Sequence, residues 1–218
     1  MIRKLQWVAA ATIALLCAAC DAHFDVPDTA IQPGHVLCTD GTVLSYTAYE
    51  QSGKRAIAVL FDAGQREDAE GYGYAVYLWD IEPLAFADSL GVDQGTSADP
   101  IAFDGNANTS KLFEAKETAS PMAEAVFSMW WYGQSAYIPS VAEMRVLYDN
   151  LEKVNPIIKR CGGQPLPADE ENCWYWTSTE VAGQEMVKAW LYSLGSGTMH
   201  DTPKNQAHRV RPIISWNK

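Results

Sequence analysis

Between Cys173 and Ser215 the chain alternates aromatic and β-branched runs with glycine turns, and no other stretch limits its fold as tightly. The ends of this stretch are Trp174-Tyr175-Trp176-Thr177-Ser178-Thr179-Glu180 and His208-Arg209-Val210-Arg211-Pro212-Ile213-Ile214. Between them Val187-Lys188-Ala189-Trp190-Leu191-Tyr192-Ser193-Leu194 runs into Gly195-Ser196-Gly197. Aromatic and β-branched side chains suit a pleated, half-buried surface, so the stretch predicts a small antiparallel sheet. Period-two alternation places Trp174 and Trp176 on one face of one strand, where two indoles can anchor packing helices. Arg211 is expected to pair with Glu143 or Glu180 and close the terminal strands.

Upstream, His35 to Cys38 and Thr42 to Tyr46 flank Asp40-Gly41, a turn signal between β-rich runs, and read as a hairpin. Ala56 to Phe61 is a continuous apolar run of strand length, and Tyr74 to Trp79 is the next strand candidate. Residues 80–119, rich in Asp, Gly, Ala and Ser, read as long loops. Ser120-Pro121 predicts a helix start, with Met122, Val126, Met129 and Trp130 on one face and Gly133 as its end. A second helix opens with the capping box Ser140-Val141-Ala142-Glu143. It carries Met144, Leu147, Leu151, Val154 and Ile158 as its apolar stripe and stops at Gly162-Gly163.

The N-terminus is a separate matter. Arg3 and Lys4 precede an apolar run from Leu5 to Leu16 and the small-residue site Cys17-Ala18-Ala19-Cys20, the three parts of a secretory signal. The apolar run is short for a membrane span. The site resembles a bacterial lipobox, which makes Cys20 the lipidated first residue of the mature chain, although Cys17 stands where that pattern has leucine. Residues 1–19 are then the lipoprotein signal peptide, 20–33 a tether rich in Asp, Pro and Thr, and 34–218 a single domain. The formal charge of −11 becomes two units more negative once Arg3 and Lys4 are removed. Such acidity argues against nucleic acid or anionic headgroups as partners, and limits membrane contact to the lipid anchor.

Three cysteines follow Cys20. In an exported chain Cys161 and Cys173 can close a short disulfide loop; three thiols, or another partner for Cys38, are the alternatives. None lies in a CxxC pair, so no redox motif or zinc knuckle is expected. Asp104-Gly105-Asn106-Ala107-Asn108 begins like a calcium loop, but Thr109 and Ala115 occupy the places of its glycine and glutamate, so an Asx-held turn is the expectation. No metal and no cofactor is expected, and HExxH, GxSxG and GxxxxGK are absent from the sequence.

Tyr137-Ile138-Pro139-Ser140-Val141-Ala142-Glu143-Met144, Tyr175-Trp176-Thr177-Ser178-Thr179-Glu180, Ala189-Trp190 and Arg209-Val210-Arg211-Pro212 together resemble the motif series of DUF1566-like domains. These are similar to the Fibrobacter major paralogous domain and are common in Bacteroides-type surface lipoproteins. The resemblance runs from about Gly34 to the C-terminus. It implies an α+β, C-type-lectin-like fold: two helices packed on a twisted antiparallel sheet, terminal strands paired, long loops on one side. Such a fold hosts calcium-dependent lectins, formylglycine-generating enzymes and adhesin tips. The chain lacks the Glu-Pro-Asn, Gln-Pro-Asp and Trp-Asn-Asp triplets of the lectins, and it has no cysteine after Cys173 for formylglycine chemistry.

The expectation is therefore a non-catalytic binding protein of the cell envelope, exported and lipid-anchored in the outer membrane or at the cell surface, that takes a glycan or protein ligand without calcium. In the resembling proteins the ligand face is made by the C-terminal strands, here residues 180–209. The implied contacts are Glu180, Gln184, Glu185, His200, Asp201, Lys204, Asn205 and Arg209, with Trp190 or Tyr192 as an aromatic platform. A fimbrial tip or other accessory subunit of a surface assembly is the alternative. In a Bacteroides-type source, Asp28-Thr29-Ala30 and Asp88-Ser89-Leu90 also resemble O-glycosylation sequons.

Overall fold

The computed structural model describes residues 30–64, 73–169 and 173–216. The expected signal peptide, Cys17, Cys20, most of the expected tether and the first two residues of the first expected sequon lie outside them. The fold belongs to the compact unit Ile31–Lys218. It is α+β, with five helices and several sheets among the described residues. No helix there is long and apolar enough to cross a membrane.

Strands β1 (Val36–Cys38), β2 (Val43–Leu44), β3 (Ala56–Asp62), β4 (Gly73–Tyr77) and β12 (Ile213–Trp216) form one antiparallel sheet in the order β12-β4-β3-β1-β2. Strands β5 (Ile81–Ala85), β8 (Trp174–Glu180), β9 (Lys188–Ser193), β10 (Met199–Pro203) and β11 (Ala207–Val210) form a second in the order β10-β9-β8-β11-β5. The second is antiparallel except that β11 runs parallel to β8, Arg209 opposite Tyr175. The expectation of one C-terminal sheet is thus corrected. Proline cannot donate to a ladder, and at Arg211-Pro212 the chain leaves β11 and enters the first sheet as β12. The terminal strands β1 and β12 share that sheet but are separated by β3 and β4, so they are not paired as expected.

β3 is interior to the first sheet and packs a core cluster on each of its faces, which is why it reads as an unbroken apolar run. Its Ala58 and Leu60 join a core cluster with Leu112, Met122, Val126, Trp176, Leu191 and Val210. Its Val59 and Phe61 join the opposite cluster with Met144, Leu147, Val154, Ile158, Tyr175 and Tyr192. Trp174 and Trp176 do share a face: Trp176 is buried in the first cluster and Trp174 packs partly against it.

The helices are α1 (Tyr46–Ser52), α2 (Gly105–Glu114), α3 (Pro121–Phe127), α4 (Val141–Asp149) and α5 (Leu151–Arg160). Helix α3 starts at the expected Ser120 cap but ends at Phe127. Trp130–Trp131 (β6) then pairs with Gln134–Ser135 (β7). The two turn residues, Tyr132 (φ 40) and Gly133 (φ 84), both have the positive φ that a tight hairpin needs. Trp130 is consequently exposed instead of buried on a helix face. The predicted second helix has its complete capping box, but non-helical backbone at Asn150 divides it into α4 and α5.

Ser45 caps α1 instead of continuing the β2 strand. Residues 80–119, expected as long loops, hold β5 and α2, with Asp104 at the N-cap of α2 and its side chain accepting from Asn108 Nδ2 at 2.9 Å. No disulfide joins Cys38, Cys161 and Cys173 to one another. The Cys161–Cys173 bridge is absent because Cys161 caps α5, whereas Cys173 Sγ is buried 3.2 Å from Ser193 Oγ.

Candidate functional site

The second sheet presents one face of β8, β9, β10 and β11 to a pocket of about 510 Å³. Register explains which side chains reach it. Leu191 lies opposite both Trp176 on β8 and His200 on β10, and Thr202 is two residues beyond His200. Directly opposed residues project to the same face. Trp174, Leu191, Pro83 and Ala207 supply the apolar lining, and His200, Thr202, Gln206, His208 and Arg209 the polar one.

The aromatic arrangement is paired. Trp174 meets His200 edge-on with ring centroids 6.0 Å apart, and Trp176 meets His208 edge-on at 5.3 Å. Trp176 itself is part of the frame: its Nε1 donates to the Leu84 carbonyl at 3.1 Å and the Gln206 carbonyl at 3.3 Å. That clamp ties β8 to β5 and to the β10–β11 turn. His200 Nδ1 lies 3.0 Å from Thr202 Oγ1, and His208 Nε2 lies 3.4 Å from Gln206 Oε1. Burial, and secondarily the nearby His200, lowers the pKa of His208, so its imidazole is the neutral form at neutral pH. Arg209 lines the pocket with its guanidinium committed to Asp80, Nη1 donating to Oδ2 at 2.8 Å.

Of the residues expected on the ligand face, the pocket gathers His200 and Arg209. Gln184, Glu185 and Asn205 stand in turns outside it: Gln184 and Asn205 are exposed, and Glu185 Oε1 accepts from the Gly183 amide at 2.8 Å. Alternation along β9 sends Trp190 and Tyr192 to the other face, against the second core cluster. Tyr192 is buried there, edge-on to Tyr148, which removes it as a platform. Asp201 is paired with Lys188.

Glu180 and Lys204 are a correction of a different kind, because both are fully buried and bonded to each other at 2.7 Å. Lys204 Nζ also donates to the Val92 carbonyl at 2.9 Å and to Gln94 Oε1 at 3.3 Å. Two charges leave water together only when paired, so these residues belong to the interior. Arg211 pairs with neither Glu143 nor Glu180. Its Nε donates to Asp80, and its two terminal nitrogens donate at 2.9 Å to the carbonyls of Tyr77 and Gln164.

Trp174, expected only as a packing anchor, and Pro83, Thr202, Gln206 and His208 were missed as pocket residues by sequence reasoning. His208 and Thr202 could have been found by extending the period-two count from His200 across the turn. Pro83 could not, since it lies on a strand whose pairing with β11 is set by tertiary structure.

The arrangement suits binding. An indole beside small apolar groups, rimmed by two imidazoles, a hydroxyl and an amide, can pack an apolar face and hydrogen-bond a polar edge. No group of three or more His, Cys, Asp or Glu side chains placed to hold a metal occurs among the described residues. No protein-family model matches the chain, and no curated protein matches it.

Proposed function

We propose that the chain is a lipid-anchored, non-catalytic binding protein of the bacterial cell envelope, held at the outer membrane or cell surface through Cys20, that recognises a glycan without calcium. The observation that carries the ligand class is Trp174 beside Leu191 and Pro83 with a rim of His200, Thr202, Gln206 and His208. The C–H face of a sugar ring packs on an indole, and its hydroxyls find both donors and acceptors in imidazole, hydroxyl and amide groups. The C-type-lectin-like reading of the fold rests on the motif series from Tyr137 to Pro212. The packing of α4 and α5 in the second core cluster supports it, and the separation of β1 from β12 departs from it.

A second reading, an accessory subunit of a surface assembly, is favoured by one observation. Phe113 stacks on Phe127 at 4.1 Å and Phe127 meets Trp130 edge-on at 6.2 Å, with Phe113 and Trp130 exposed. Exposed aromatic clusters are frequent in protein contacts.

A glycan and glycoprotein array, run on the mature domain with and without EDTA, separates the two. Binding that survives EDTA and is lost in Trp174→Ala supports the pocket. Loss with EDTA removes the calcium-independent reading. Glycoprotein binding that ignores Trp174→Ala and fails in Trp130→Ser points to the accessory role.

A further inference from the structure

The buried cluster around Lys204 brings an amine, a carboxylate and a side-chain amide together away from water, and we propose that Lys204 and Gln94 become joined by an intramolecular isopeptide bond with Glu180 as proton carrier. This is independent of the glycan reading, since none of the three residues lines the pocket. Lys204 and Glu180 are 0% exposed and Gln94 is 6% exposed. Lys204 Nζ lies 2.7 Å from Glu180 Oε1 and 3.3 Å from Gln94 Oε1, one bond from the carbonyl carbon it would attack. The Gln94 backbone amide also approaches that Glu180 oxygen at 3.5 Å, which holds the Gln94 segment against the pair. The Phe86 ring, 5.4 Å from Nζ, forms an apolar wall.

Two buried atoms of the cluster, Gln94 Nε2 and Glu180 Oε2, have no hydrogen-bond partner among the described residues. Orphaned buried polar atoms are rare and costly in a native protein. The reaction removes the first of them, and the Lys204 charge departs with it as ammonium. A proton passes from the Lys204 ammonium to the Glu180 carboxylate bonded to it. The free amine attacks the Gln94 carbonyl carbon, and the N–C bond forms as the tetrahedral centre appears. The bond to Nε2 then breaks. Nε2 leaves with the protons surrendered by Lys204 and Glu180 as ammonium, which restores the Glu180 carboxylate. The balance is one ammonium and one amide giving a secondary amide and ammonium, with no oxidant, cofactor or energy source. Confinement of the reacting groups at these distances supplies the effective concentration that an amide, a poor electrophile, requires.

Electrospray mass measurement of the purified full-length domain tests this directly. The expected result is a mass lower than the sequence mass by one ammonia, about 17 Da, with tryptic digestion failing after Lys204 and yielding a branched peptide that links the Gln94 and Lys204 segments. Gln94→Ala should restore the unmodified mass and cleavage after Lys204. Glu180→Gln should leave Lys204 and Gln94 unlinked in soluble protein that retains its circular dichroism spectrum. Wild-type protein at its sequence mass, with normal cleavage after Lys204, overturns the proposal, as does a mass deficit that maps to any other peptide. A full link in Glu180→Gln overturns the role given to Glu180. The wild-type mass decides the central point even if a variant does not fold.

Discussion

The carboxylate of Asp80 and the guanidinium of Arg211 are bonded across 131 positions of sequence, with Arg211 fully buried. Asp80 immediately precedes β5 in the second sheet, and Arg211 immediately follows β11, with Pro212 between it and the first sheet's β12. Their contact therefore fastens the place where the chain passes from one sheet to the other. Arg209, on β11, adds its own bond to the same carboxylate but is 31% exposed at its side chain.

Removing the carboxylate leaves the Arg211 charge buried with backbone carbonyls as its remaining partners. Asp80→Ala should lower unfolding free energy by about 3–5 kcal/mol, the usual cost of an uncompensated buried charge. Arg209→Ala, acting at a half-exposed position, should cost about 1 kcal/mol or less. Urea unfolding of the two variants checks this; equal effects would mean that Arg211 does not depend on Asp80.

Glu143 gives a pH dependence. Burial raises its pKa from 4.5 to about 8, against the lowering effect of the Ser140 and Gly105 amides. The folded state then holds a proton between about pH 4.5 and 8 that the unfolded state has released, so stability falls as pH rises through that window. Glu143→Gln keeps the uncharged shape and an acceptor for the Ser140 amide, so it should flatten that part of the curve, on the order of a few kcal/mol at most. Denaturation midpoints of wild type and variant at pH 5 and pH 8 measure the difference directly.

The two tryptophans of β8 should separate frame from site. Trp176→Ala removes a fully buried indole and its two carbonyl contacts, and should cost about 3–5 kcal/mol with loss of cooperative unfolding. Trp174 is half-buried at the pocket. Trp174→Ala should cost well under half as much while abolishing ligand capture. Thermal melts alongside array binding distinguish the two residues.

His208 should titrate below the ordinary histidine value of 6.5, chiefly because it is buried. Below 6.5 the unfolded state takes up a proton that the folded state resists, so this group withdraws stability as pH falls through the lowered folded pKa. Imidazole C–H signals in an NMR titration report the midpoint. His200→Ala removes the smaller, charge-based cause and should raise that midpoint slightly.

Local signals were legible wherever they were strong. The Ser140 capping box, the Ser120-Pro121 helix start and the buried run of β3 need only neighbours in sequence, and the structure places each as expected. Helix α2 escaped because Gly105, Asn106, Asn108, Thr109 and Ser110 are poor helix formers, held by packing on β8 and α3. Strand β5 escaped because Pro83 interrupts an otherwise ordinary edge strand.

The candidate site follows the same division. That β8 to β11 make a sheet, and that Trp174 and Trp176 share its face, follows from a period of two that no tertiary contact can change. Which polar residues face the pocket does not follow, because a one-residue change in register turns every side chain over. That choice sent His200 outward and put Tyr192, Glu180 and Lys204 inside. The charge of Glu180 marked it as surface by residue type alone; only the arrival of Lys204 at 2.7 Å, from 24 positions away, made its burial affordable. Residue type and spacing determine strands, caps and faces, whereas pairings between distant strands decide which of those faces meets water.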